Sequence, residues 1–167
     1  TLFGYQVFGV EPDVITLAKG LGNGVPVGAF LSKDQFAVLE PGDHGSTFGG
    51  NPLATAAANA AVRHVVESDI LPHARAISNY LSGELTKLRS RLPETIAEIR
   101  GIGLLLAVQF SDTIAAKVVG ACNEEGLLLN TPRPNAIRLM PPLIITEADV
   151  DEAIRKLEGG IRKVLAS

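Results

Sequence analysis

The chain has 167 residues, 46% of them hydrophobic and 20% charged, with a formal net charge of −3. This is ordinary globular composition, and a chain of this size can bury roughly 70% of its unfolded surface. The slightly acidic balance argues against nucleic acid as the main partner, and no apolar run is long enough to span a bilayer. A single cysteine, Cys122, excludes an internal disulfide framework.

The amino terminus, Thr1-Leu2-Phe3-Gly4-Tyr5, opens almost at once into fold-like sequence without an initiator methionine or a secretory leader, so the chain reads as a piece of something longer. After the Glu11-Pro12-Asp13 turn, Val14 to Thr16 reads as a short buried strand and Val27 to Leu31 as a second. Lys33 to Leu39 predicts a short helix stopped by Pro41-Gly42, with Lys33 and Asp34 as its solvated start. A polar, glycine-rich loop runs from Asp43 to Asn51. Pro52 then opens a strong helix of small residues, with Asn51 as its cap.

A second long helix is predicted from about Asp69 to Leu92. Its apolar stripe is Ile70, Ala74, Ile77, Leu81, Leu85, Leu88 and Leu92, and Ser68 is its candidate cap. Strands follow near Ile96 to Arg100 and Leu104 to Phe110, parted by Gly101 and Gly103. Thr113 to Glu125 predicts a helix that Gly126 stops. Cys122 lies in this helix and reads as a small buried hydrophobe, which suits a reducing cytoplasm. Leu127 to Asn130 and Ala136 to Leu139 read as strands around Thr131-Pro132-Arg133-Pro134. The last helix spans about Glu147 to Val164, where Thr146 and Asp149 form a candidate capping box. A composition change near Val66 to Pro72 divides the chain into residues 1–68, with glycine-rich loops, and residues 69–167, an α+β pattern.

The most informative segment is Thr16-Leu17-Ala18-Lys19-Gly20-Leu21-Gly22-Asn23-Gly24. A lysine ending a buried strand, followed by three glycines in five residues, leaves room for a large group to approach its amine. A partly desolvated lysine there is suited to Schiff-base chemistry. A turn with its ammonium in solvent is the alternative on these residues alone. The phosphate-gripping P-loop is excluded, because its lysine follows the glycines. His44, His64 and His73 lack metal-like spacing, so no metal site is expected.

Three ordered segments carry a family resemblance. Asp13-Val14-Ile15-Thr16-Leu17-Ala18-Lys19-Gly20 resembles the cofactor-lysine segment of the class III (ω-amino acid) aminotransferases, and Gly45-Ser46-Thr47-Phe48-Gly49-Gly50-Asn51-Pro52-Leu53-Ala54 resembles their phosphate-contact loop. Arg100-Gly101-Ile102-Gly103-Leu104-Leu105 and Ile137-Arg138-Leu139-Met140-Pro141-Pro142-Leu143 resemble their small-domain segments. The resemblance covers essentially the whole chain.

It implies an α/β protein: the C-terminal part of the type I pyridoxal-phosphate transferase fold. Residues 1–68 would be the latter part of the large cofactor-binding domain, and residues 69–167 the small C-terminal α+β domain. The implied cofactor is pyridoxal 5'-phosphate. Lys19 would be the Schiff-base lysine and the acid-base group, and Thr47 a phosphate contact acting across the interface of a homodimer. Ser46 and Arg138 would bind substrate, Arg138 gripping its α-carboxylate; Arg133 is a weaker candidate. The implied reaction moves the terminal amino group of N-acetylornithine to 2-oxoglutarate, as in arginine biosynthesis; ornithine, 4-aminobutyrate and succinylornithine are alternative donors. In relatives, an amino-terminal half supplies a glycine-rich phosphate loop, a ring-stacking aromatic residue and an aspartate for the pyridine nitrogen. None has a counterpart here, so the segment alone is expected to be feebly active or inactive. It is also expected to expose apolar surface that favours association.

Overall fold

A computed structural model describes all residues, Thr1–Ser167. They form two compact units, Thr1–Leu71 and Pro72–Ser167. No helix is long and apolar enough to cross a membrane.

The first unit begins with a short helix, α1 (Gly4–Val7). Strands β1 (Val14–Leu17) and β2 (Ala29–Ser32) pair antiparallel, Val14 opposite Ser32 and Leu17 opposite Ala29. Lys33 does not start a helix. Its ammonium lies 3.0 Å from both Glu11 and Asp13, and only a single 3-10 turn, Asp34–Phe36, follows. Those carboxylates also raise the lysine's pKa, Glu11 first. Helix α2 (Pro52–Glu67) starts as expected: Asn51 Oδ1 accepts the Ala54 amide at 2.9 Å, and the proline occupies a position whose amide hydrogen would go unused.

This unit has almost no interior of its own. Ala54 is its only buried hydrophobic side chain, while Phe8, Phe30, Val38, Phe48 and Leu53 are exposed. The small residues of α2 therefore present close-packing surface with little packed on it.

The second unit holds the core. Helix α3 runs Ile70–Arg91, and its stripe of Ile77, Leu81, Leu85 and Leu88 is buried. Strands β3 (Ile96–Ile102), β4 (Leu105–Phe110), β5 (Asn130–Arg133) and β6 (Ala136–Leu139) form one antiparallel sheet in the order β3-β4-β6-β5. Alternation puts Leu106, Val108, Phe110, Ile137 and Leu139 on the core face. Helices α4 (Ala115–Glu124) and α5 (Glu147–Leu165) complete that core with Val118, Cys122, Val150, Ile154, Leu157 and Ile161. Burying each leucine or isoleucine contributes about 1.5–3 kcal/mol.

Cys122 is fully buried, and burial pushes its thiol pKa up. A Cβ at Gly160 of α5 would lie 2.7 Å from its sulfur, so the two helices meet there at close range. Gly126 ends α4 at φ +76, the left-handed cap that its position implied. Thr146 and Asp149 form a full capping box on α5: the Thr146 amide donates to Asp149 Oδ2 at 2.8 Å, and the Asp149 amide to Thr146 Oγ1 at 3.3 Å.

One strand falls elsewhere than the residue pattern suggests. The apolar run Leu127-Leu128-Leu129 is not a strand, and β5 instead takes in Thr131, Pro132 and Arg133. Proline is tolerated because β5 is an edge strand, so its missing amide hydrogen breaks no inner ladder.

Glu158 on α5 ties the helices together, accepting from Arg91 of α3 at 2.7 Å and from Arg162 at 2.7 Å. Those guanidinium contacts, Arg91 first, hold its carboxyl below the ordinary value of 4.5. A depressed folded pKa means the contribution is whole above 4.5 and is lost as pH falls through the lower folded value. Thermal melts at pH 7 and pH 3 are therefore expected to show a smaller acid-induced loss for Glu158→Gln than for the unmodified protein. Equal losses would assign the acid sensitivity to other carboxylates.

Candidate active site

Lys19 follows β1 directly and opens a 3-10 turn, Lys19–Leu21. Its backbone sits at φ +55, in the left-handed region that a lysine rarely adopts. Such a conformation costs about 1–2 kcal/mol and persists where surrounding structure imposes it. The turn is held by the Leu21 amide on Ala18 O at 3.1 Å and the Gly22 amide on Lys19 O at 3.3 Å. A Cβ added at Gly20 or Gly24 would meet no atom within 4 Å, so the surface is open there, whereas at Gly22 it would run into Val25 and Val27 of the same loop. Lys33, Lys87, Lys156 and Lys163 each hold a carboxylate, whereas Lys19 and Lys117 hold none.

Two expectations about this lysine need correction. β1 is not a buried strand, since Val14 and Thr16 are exposed and Ile15 and Leu17 only half-buried. Lys19 is exposed rather than sheltered. The reason is physical: β1 pairs with β2 alone, and nothing in residues 1–71 covers the ribbon with a packed layer.

Ser46 and Thr47 lie in the exposed loop before α2, and α2 packs against the turn that carries Lys19. The loop folds through its own polar groups. Ser46 Oγ accepts the Gly49 amide at 2.9 Å, and Asn51 Nδ2 donates to Phe48 O at 2.9 Å. These bonds leave the Thr47 hydroxyl free and keep the Ser46 hydroxyl proton available as a donor. His44 is exposed in the same stretch.

Arg138 belongs to the second unit. It sits on β6, an inner strand between β4 and β5, and is half-buried. It shares the sheet face opposite the core with Ala107 and Asn130, its direct partners on the two neighbouring strands. Arg100 on β3 faces the same way, but its guanidinium is taken up by Glu98 at 3.0 Å and by Gln109. Arg138 meets no carboxylate. Its Nε–H donates to Asn130 Oδ1 at 3.2 Å, and its terminal nitrogens remain open. Ala107, with its methyl-sized side chain, pairs with both arginines on this face. Arg133 lies exposed at the end of β5.

Asn130 escaped the reading of the residues. The predicted strand ended at Asn130 instead of beginning there, which hid its place opposite Arg138. The structure groups Lys19, Ser46 and Thr47 in the first unit and places Arg138 in the second.

The sequence profile described as Aminotransferase class-III matches residues 1–161. Acetylornithine aminotransferase of Gloeobacter violaceus is 47% identical over 158 residues, which cover 95% of this chain and 40% of that protein. Succinylornithine transaminase of Photorhabdus laumondii is 42% identical over 166 residues, 97% of this chain and 41% of that protein. The crystal structure of acetylornithine aminotransferase from Elizabethkingia anophelis superposes with a TM-score of 0.89 at 37% identity, covering 98% of this chain and 42% of that one. The chain thus spans about 40% of the length of the curated relatives it matches. A family match across nearly every residue, together with agreement of the backbone, establishes that the chain belongs to the class-III aminotransferases.

Proposed function

We propose that the complete protein is a pyridoxal-phosphate aminotransferase that moves the terminal amino group of N-acetylornithine to 2-oxoglutarate, giving N-acetylglutamate semialdehyde and glutamate. The observation that carries this reading is Lys19: a partner-free lysine held at φ +55 at the end of a strand, beside open surface. The donor set fits the cofactor. Lys19 would hold its aldehyde through Nζ, and the free Thr47 hydroxyl with its loop amides suits a phosphate. When bound, the cofactor ring supplies an electron sink for the carbon that gives up its amino group.

Each residue then has a definite task. The Lys19 amine would take the proton from that carbon and later return one. Thr47 anchors the phosphate from the neighbouring copy of a homodimer, and Ser46 donates its hydroxyl proton to substrate. Arg138 presents two parallel N–H donors to a substrate carboxylate, which fixes orientation as well as charge. The first unit belongs to the cofactor-binding domain and the second is the small C-terminal domain. Further polypeptide covers the apolar face of the first unit and shelters the Lys19 amine, which must be partly desolvated to act as a nucleophile. A cytoplasmic setting suits this chemistry.

Similarity to a succinylornithine transaminase supports one alternative donor. Steady-state assays of the complete protein with N-acetylornithine, succinylornithine, ornithine and 4-aminobutyrate, each with 2-oxoglutarate, test the choice. The highest kcat/KM is expected for N-acetylornithine. A clear preference for any other donor overturns the substrate assignment but leaves the transamination reading intact.

A further inference from the structure

Asn130 stands directly opposite Arg138 across the β5–β6 pair, and its Oδ1 accepts the Arg138 Nε–H at 3.2 Å. A guanidinium grips a carboxylate in two ways, side-on through Nε and one terminal nitrogen, or end-on through both terminal nitrogens. We infer that Asn130 is a positioning residue for substrate recognition: by occupying Nε it removes the side-on mode and presents the two terminal nitrogens of Arg138 to the substrate carboxylate. This rests on the reading of Arg138 as the carboxylate-binding residue.

The choice of an amide matters. Arg100, on the same sheet face, is held by the Glu98 carboxylate and Gln109, so its charge is already matched. Asn130 orients its arginine with a neutral acceptor and leaves the positive charge unspent. An aspartate in its place would hold the guanidinium equally well and neutralise it. Asn130 is exposed, so its replacement removes no core packing.

The test compares Asn130→Ala, Asn130→Ser, Asn130→Asp and Arg138→Ala in the complete, cofactor-loaded protein. Loss of a hydrogen bond to a charged group predicts a KM for glutamate and 2-oxoglutarate raised about tenfold in Asn130→Ala and Asn130→Ser, with kcat within about twofold. Asn130→Asp is expected to raise KM further, by like-charge repulsion of the substrate carboxylate. A second readout is independent of turnover: in nitrogen-15 spectra, solvent exchange of the Arg138 Nε–H is expected to quicken in the alanine and serine variants and stay slow in Asn130→Asp. A KM raised by Arg138→Ala but untouched by every Asn130 variant overturns this inference alone. A KM untouched by Arg138→Ala as well overturns the carboxylate role of Arg138 and this inference with it.

Discussion

Replacing Lys19 by alanine is expected to abolish transamination by the complete protein, with turnover reduced about 10³-fold or more, because in the proposed mechanism one side chain would serve as both cofactor attachment and proton carrier. The visible absorption of the bound cofactor should change at the same time. The fold should not suffer. Lys19 is exposed and holds no carboxylate, so its side chain contributes little to stability. Its backbone sharpens the prediction. At φ +55 alanine is as strained as lysine, whereas glycine adopts that conformation freely. Lys19→Gly is therefore expected to be equally inactive yet more stable than Lys19→Ala by about 1 kcal/mol. That pair of outcomes, activity lost where stability is gained, is what a site under chemical constraint predicts. Substantial turnover in either variant would remove Lys19 from the mechanism.

The largest effect on stability is expected at Gly101, near the end of β3 and directly opposite Leu106 of β4. Its backbone lies at φ +130, and an added Cβ would stand 2.8 Å from Leu106 Cα and press on the Leu105 carbonyl. Both neighbours are backbone of a paired strand, so neither can swing aside. Gly101→Ala thus combines a forbidden conformation with overpacking, at a cost of about 3–5 kcal/mol. That is a large part of the 5–15 kcal/mol typical of a folded domain, as an order of magnitude. Gly103 is the internal control. It has φ +60, and nothing lies within 4 Å of its Cβ position, so Gly103→Ala should cost only about 1 kcal/mol. Chemical denaturation of both variants checks the contrast. Equal destabilisation would show that conformation alone, not the close approach of β4, fixes the glycine.

What could be read from the residues follows a physical division. Helices α2, α3 and α5 were legible because their signals are local: Asn51-Pro52 at a start, the Ile77-Leu81-Leu85-Leu88 stripe, the Thr146–Asp149 box. The β5 strand was not, because Leu127-Leu128-Leu129 carries strong strand propensity while the sheet pairs the polar segment after it. Strand choice there is decided by partners on β6, which propensity does not see. The same error hid Asn130. Lys19 stood out by the glycines that follow it, but its burial was misjudged. Val14-Ile15-Thr16 has the composition of a covered strand, and in residues 1–71 no layer covers it. Exposed Phe8, Phe30 and Phe48 in the same unit are likewise apolar and uncovered.

Lys19 Nζ is proposed to carry the cofactor. The most direct measurement is borohydride reduction of the cofactor-loaded complete protein, followed by peptide mass spectrometry. A reduced pyridoxyl adduct is expected on the peptide containing Lys19 and is expected to be absent from the Lys19→Ala protein. An adduct on Lys33, Lys117 or any other lysine, with Lys19 unmodified, would contradict it.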